Sequence, residues 1–145
     1  MVGTPRRVTE LFQDFVPGPA PEPSLFDAGG TDPVVFRDLP FHSLCAHHLL
    51  PFFGHATIAY LPTGRVAGLS WFPKMLRHLA RRPQLQERLG GHLADAIAEA
   101  LGSEGVLVRL TARQMCMEMR GVESPGTIET VALRGPRAED LLRLA

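Results

Sequence analysis

The sequence predicts an α+β fold, an antiparallel sheet covered on one face by helices, in the order two strands, two helices, two strands. Three observations carry that prediction. Period-two patterning marks residues 33–44 and 52–61 as strands. Leu85, Leu89, Leu93, Ile97 and Leu101 recur at four-residue spacing, which is the apolar stripe of a helix. β-rich segments then return at 106–112 and 127–133.

Residues 1–33 are punctuated by Pro17, Pro19, Pro21, Pro23, Gly29 and Gly30. They read as an N-terminal extension, with a turn or two of helix over residues 8–15 and then an extended linker, its expected role that of a tail laid on a neighbouring subunit. The domain proper is expected over residues 34–145. Its first strand carries Val35, Phe36 and Leu39, and its second runs through Gly54 to Tyr60 until Pro62, Thr63 and Gly64 turn the chain. Ser70 is placed to cap the first helix, with Pro73 in its first turn and Met75, Leu76 and Leu79 on its apolar face. Arg81-Arg82-Pro83 breaks that helix. The longer helix is expected over 84–101, weakened at Gly90 and Gly91 by about 1 kcal/mol each against alanine and stopped at Gly102. The third strand runs on toward Cys116, Gly135-Pro136 ends the fourth, and residues 138–144 read as a short closing helix.

The whole chain is 145 residues, enough for one domain with a real core. Its formal net charge is +0, which argues against a bulk electrostatic grip on nucleic acid or on an anionic membrane. No apolar run approaches the ~20 residues that cross a bilayer, and no apolar signal core follows Arg6 and Arg7. The expectation is a cytoplasmic protein with neither nucleic-acid nor membrane partners. Free sheet edges on so small a chain predict self-association into a homo-oligomer.

The connection between the first two strands carries the chemistry. Ser43-Leu44-Cys45-Ala46-His47-His48-Leu49-Leu50-Pro51-Phe52-Phe53 sets one thiol and two imidazoles within four residues. The one other cysteine, Cys116, lies in Gln114-Met115-Cys116-Met117-Glu118-Met119-Arg120-Gly121. In a reducing compartment two such cysteines are more often ligands, catalytic groups or inert core residues than a disulfide. Zinc favours sulfur and nitrogen donors, and a catalytic zinc keeps three protein ligands and one open position, so Cys45, His48 and Cys116 would supply a set. On spacing alone a buried cysteine pair with a satisfied histidine is the competing reading.

The flanking motifs decide between them. The stretch from Ser43 to Gly54, then Ile58-Ala59-Tyr60, Gly68-Leu69-Ser70, Arg82-Pro83-Gln84-Leu85-Gln86-Glu87-Arg88-Leu89 and Met115 to Gly121 resemble the GTP cyclohydrolase I family, in that family's order and, up to Gly121, at its spacing. The resemblance covers about residues 34–135. It implies a tunnelling fold, ββααββ units in a toroidal homo-oligomer, usually a decamer, with active sites between subunits. The reaction it implies hydrolyses the imidazole ring of GTP, releases C8 as formate and rearranges the ribose to give dihydroneopterin triphosphate. By resemblance, Cys45, His48 and Cys116 are zinc ligands and His47 is an acid/base group beside the metal. Glu87, with Gln86, anchors a guanine-type purine, and Ser70 and Arg120 contact phosphate. The chemistry is coherent, because C8 of a purine is a poor electrophile, zinc makes water nucleophilic near neutral pH, and a leaving ring nitrogen needs a proton. The plainer readings beside these are a surface histidine for His47, a solvated charge for Glu87, a salt-bridge partner for Arg120, and strand packing for Met115, Met117 and Met119.

The chain departs from the family's pattern at several places. The family's Cys-Glu-His-His has Ala46 in place of glutamate, removing a carboxylate near the metal. The family's histidine two residues before the second cysteine is Gln114, which can hydrogen-bond the same atom but cannot shuttle a proton. The lysine after Gly-Leu-Ser is Trp71, expected as a lid on the substrate pocket or as subunit-interface packing. The segment after Gly126 is one residue short, with Glu129 where triphosphate would approach. These departures lead the sequence reading to a diverged zinc hydrolase acting on a substrate with fewer phosphates or stopping after ring opening. A conventional GTP cyclohydrolase I is the first alternative, and a non-catalytic zinc-bearing relative the second.

Overall fold

The computed structural model describes residues 2–145. Helix α1 (Thr4–Gln13) and strand β1 (Leu25–Asp27) precede strands β2 (Val34–Cys45), β3 (Pro51–Tyr60) and β4 (Arg65–Ala67). Helix α2 (Trp71–Ala80), strand β5 (Pro83–Gln84) and helix α3 (Gln86–Leu101) come next. Strand β6 (Val106–Gln114), the single turn α4 (Met115–Glu118), strand β7 (Thr127–Arg134) and a 3-10 turn at Ala138–Leu141 complete the order. The main sheet runs β5-β2-β3-β6-β7, antiparallel except where β5 lies parallel to β2. The α+β architecture read from the patterning is therefore present.

Alternation puts Ala56, Ile58 and Tyr60 of β3 and Val106, Val108 and Leu110 of β6 on one face, where α2 and α3 bury them. Phe72 and Leu76 come from α2 and Leu89, Leu93 and Ile97 from α3, and the Phe72 ring stacks on Tyr60 at 5.4 Å. Each such side chain contributes ~1.5–3 kcal/mol by leaving water. A smaller cluster on the opposite face joins Ala59, Leu61 and Leu107 to Leu141 of the closing turn. The closing element is a 3-10 turn, shorter than the expected helix over 138–144.

Three other local expectations change. The long helix starts at Gln86 because Pro83 and Gln84 are taken up as a strand beside Leu44 and Cys45. Ser70 stands at the N-cap of α2 with helical backbone angles, which leaves its hydroxyl without a capping bond. The methionines do not alternate along a strand: β6 ends at Gln114, the chain coils through Met115–Glu118, and Met119 is exposed. The Pro-rich run also touches its own chain. Trp71 Nε1–H donates to the Pro21 carbonyl at 2.9 Å, and β1 pairs antiparallel with β4.

Gly54 is required by packing. It faces Phe41 and Ala112 at the centre of the sheet, and a Cβ there would sit 1.9 Å from the Thr111 carbonyl oxygen. Gly54→Ala is therefore expected to lower stability by about 2–4 kcal/mol, a fall of roughly 5–15 °C in thermal midpoint for a domain of this size. A melting curve matching that of the unsubstituted protein would show that the two strands can part at no cost.

Candidate functional site

Four strand ends and one helix start meet at the same end of the sheet. β2 finishes at Cys45 and β3 begins at Pro51, so the connecting turn holds His47 and His48 over that edge. The turn is tight: Cys45 N–H donates to the Leu50 carbonyl and Leu49 N–H to the Cys45 carbonyl, both at 2.8 Å. Leu49 takes a φ of 53°, a left-handed conformation that costs a leucine of order 1 kcal/mol and is over-represented at functional sites. β6 ends at Gln114, opposite Phe52, and the helical turn after it swings Cys116 back toward Cys45. That turn is held by Arg113, whose guanidinium donates through Nε at 2.9 Å and through Nη2 to the two carboxylate oxygens of Glu118. The pairing keeps the Glu118 carboxyl below the usual carboxylate range.

The result is a compact donor group. One ligand atom from each of Cys45, His48 and Cys116 lies within 4.8 Å of the others, with Cys45 Sγ 4.0 Å from His48 Nδ1. Tetrahedral zinc with sulfur and nitrogen ligands needs edges of about 3.6 Å, so small side-chain adjustments bring this set to zinc spacing. Burial and the neighbouring Cys45 push the Cys116 thiol up, and Arg120 acts in the opposite sense from nearby. A bound cation would reverse the first two effects by stabilising both thiolates.

A second observation fits a metal. Gln84 lies beside Cys45 in the parallel β2–β5 pairing and is 1% exposed, yet its Nε2 has no hydrogen-bond partner among the described residues. A buried orphan N–H is costly, and thiolates held at a cation would give it acceptors next door.

The donor group opens onto a cleft of about 530 Å³ lined by Cys45, His47, Gln84, Gln86, Glu87, Gln114, Cys116 and Ile128 among others. His47, Gln86, Glu87 and Gln114, named from the sequence, are thus gathered with two of the three proposed ligands, Cys45 and Cys116. Glu87 is exposed in the first turn of α3, where the helix dipole favours a negative charge. Gln86 is different from the sequence reading. It is 4% exposed, and its Nε2 donates to the carbonyls of Leu110 and Ile128 at 2.9 Å and reaches Thr130 Oγ1 at 3.3 Å. Its Oε1 accepts from Gln114 Nε2 at 2.7 Å. With every pole engaged inside the chain, this side chain is a clamp between α3, β6 and β7 rather than a free arm for a ligand.

Other sequence-named residues lie elsewhere. Ser70 lines a separate pocket between α2 and β2 with His42, Lys74, Arg77 and Arg81. Trp71 is no lid: it is 4% exposed, edge-on to Phe72, with its indole N–H used by Pro21, because its position on α2 faces the core. Arg120 is exposed in the turn after α4. Glu129 pairs with Arg109 at 3.4 Å on the sheet face away from the helices, because its register partner Thr111 points that way. Gln84 was not singled out by sequence reasoning, since nothing in Arg82-Pro83-Gln84 announces a strand beside Cys45.

Comparison with known proteins bears on the same residues. A family model for GTP cyclohydrolase I matches residues 1–142. GTP cyclohydrolase 1 of Streptococcus gordonii is 46% identical over 140 residues, 91% of this chain and 75% of that protein. GTP cyclohydrolase 1 of Geobacillus kaustophilus is 44% identical over 142 residues, 93% of this chain and 76% of that one. Among solved structures, an archaeosine synthase QueF-Like in the apo form is similar with a TM-score of 0.50 at 23% identity, covering 79% of this chain and 97% of that one, a likeness of fold alone.

The Gln86 clamp yields a test. Gln86→Leu strands the Leu110 and Ile128 carbonyls and is expected to cost about 2–4 kcal/mol. Denaturant unfolding measures it, and a loss below about 0.5 kcal/mol would mean the amide bonds are not formed in solution.

Proposed function

This chain belongs to the GTP cyclohydrolase I family, and we propose that it carries out hydrolytic opening of the imidazole ring of GTP with loss of C8 as formate, continuing to dihydroneopterin triphosphate. The observation that carries this reading is the Cys45, His48 and Cys116 group at the mouth of a cleft that also holds His47 and Glu87. The relatives named GTP cyclohydrolase 1 favour this conventional reaction over the diverged one expected from Trp71 and Gln114.

Cys45, His48 and Cys116 would hold zinc, which when bound makes water nucleophilic near neutral pH and polarises the atom it attacks. Glu87 would accept from N1–H and the 2-amino group of guanine, turning C8 toward the metal end of the cleft. His47, exposed and lining the same cleft, would pass a proton to the ring nitrogen released as the C8–N bond breaks. The apolar wall at Ile128 and Met117 would exclude bulk water around the base.

The cations suited to phosphate, Lys74, Arg77 and Arg81 with Ser70, line a different pocket of the same chain. A substrate that uses both sets therefore needs a second copy, and the exposed edge strand β7 offers a surface for self-association. We propose a homo-oligomer, a decamer by family resemblance, with each site shared between copies and active in the cytoplasm.

One observation favours a second reading. Gln114 donates to Gln86 and carries no proton it can give up, so a reaction needing an acid there would stop at a ring-opened product, or the substrate would carry fewer phosphates.

Two measurements test the proposal. Zinc-loaded protein is incubated with GTP, GMP, guanosine and guanine, and formate and ultraviolet spectra are followed. Formate and a pterin spectrum from GTP are expected. Turnover confined to the other three, or a ring-opened product without formate, would replace the main reading by the second, and no reaction with any purine would leave a non-catalytic relative. Metal analysis is the other. About one zinc per chain is expected, lost in Cys45→Ala, His48→Ala and Cys116→Ala, whereas His47→Ala keeps zinc and loses ~10²–10⁴ in turnover. Full zinc occupancy in Cys116→Ala would refute the ligand set.

A further inference from the structure

Gln84 carries a buried donor beside Cys45, and its orientation is fixed. Its backbone carbonyl accepts from Ala46 N–H at 2.9 Å, which holds β5 in parallel register with β2 so that Gln84 pairs with Cys45. Residues paired in this way project to the same side of the sheet from strands about 4.8 Å apart. Both side chains accordingly line the one cleft, at 1% and 6% exposure. Leu85 N–H, which can only donate, meets Gln84 Oε1 at 3.3 Å. The oxygen end of the amide is thereby identified, and both hydrogens of Nε2 are left without an acceptor among the described residues. Bulk water does not reach this nitrogen, so the cost of leaving it unpaired stands until an acceptor forms beside it.

We propose that Gln84 acts as a positioning residue for the metal centre, donating an Nε2–H to the Cys45 sulfur once that sulfur is a thiolate held at a cation. The inference rests on the zinc site proposed above. A protonated thiol is a weak acceptor and a charged thiolate a stronger one, so metal uptake and satisfaction of the Gln84 amide become one event. On loading, the Cys45 S–H proton leaves to solvent and the N–H···S bond replaces an unpaired donor. Register selects the sulfur, because Cys45 is the ladder partner of Gln84 whereas Cys116 arrives from the turn after β6. The two sulfurs are then unequal. A thiolate that shares its charge with an N–H gives less of it to the metal, so Cys45 is the weaker donor of the pair. The cation keeps correspondingly more charge for a ligand in the open position.

Zn2+ and Co2+ alone, with no purine present, are the probes. Gln84→Met keeps the length of the side chain and removes the donor. Zinc affinity, read by competition with a chromophoric chelator, is expected to fall about 10–100-fold in this variant. The thiolate-to-cobalt charge-transfer band of the Co2+-loaded protein is expected to move to longer wavelength, because a sulfur without its N–H gives up an electron more easily. A packing defect alone would weaken binding and leave the band in place. Unchanged affinity, or weaker binding with an unmoved band, would therefore overturn the proposal. A crystal structure of the unsubstituted chain loaded with zinc decides the matter even if Gln84→Met does not fold. Gln84 Nε2 within hydrogen-bonding reach of Cys45 Sγ is expected there, and an amide turned to Cys116 or to the open cleft would overturn the proposal. Failure of the unsubstituted chain to take up either metal would instead refute the donor group itself, which separates the two failures.

Discussion

The buried amide of Gln86 is the contact on which the site depends. It sits in the first turn of α3 and reaches the backbone of β6 at Leu110 and of β7 at Ile128. That bond pattern holds the helix start against the sheet beside the cleft that Glu87 and Cys45 both line. It also commits a polar group to the interior at an end of the molecule where the strands would otherwise fray. A net gain of order 1 kcal/mol per bond is modest, but the cost of leaving those carbonyls unpaired is larger, which makes the arrangement all-or-none.

Around that clamp the chain converges from distant positions. Cys45 and Cys116 are 71 residues apart in sequence, yet β3 pairs with β2 on one side and β6 on the other, and this register carries both cysteines to the same end. Phe52 illustrates the geometry, facing Ser43 across one ladder and Gln114 across the other. The Arg113–Glu118 pair then fixes the turn that returns Cys116. The donor group is a product of strand register, and Gly54 is the point at which that register tolerates no side chain.

Much of this was legible in the sequence, for identifiable reasons. Period-two and four-residue patterns located the strands and helices because burial on one face leaves a direct trace in apolar spacing. The Cys45, His48 and Cys116 donor group was legible because cysteine and histidine are rare and chemically specific, and motif order tied them to GTP cyclohydrolase I. What failed was of another kind. Trp71 was read as a pocket lid or as subunit-interface packing because it stands where the family has a lysine, but a helix turns 100° per residue, and Trp71 falls on the core side of α2 while Ser70 is exposed. Gln86 looked like a ligand arm because its partners, Leu110, Ile128 and Gln114, are brought to it only by the fold. Gln84 was overlooked for the same reason, since its orphan N–H acquires meaning only from the two-residue strand beside Cys45. Even within a recognised family, side-chain roles depended on tertiary neighbours that no spacing rule contains.

Cys45, His48 and Cys116 are proposed to hold a catalytic zinc with one position left for water. X-ray absorption at the zinc edge tests it most directly on the metal-loaded chain. Two sulfur scatterers near 2.3 Å, with one imidazole nitrogen and one further oxygen near 2.0–2.1 Å, are the result this account predicts. A shell of four sulfurs, or one of nitrogen and oxygen alone, would contradict it.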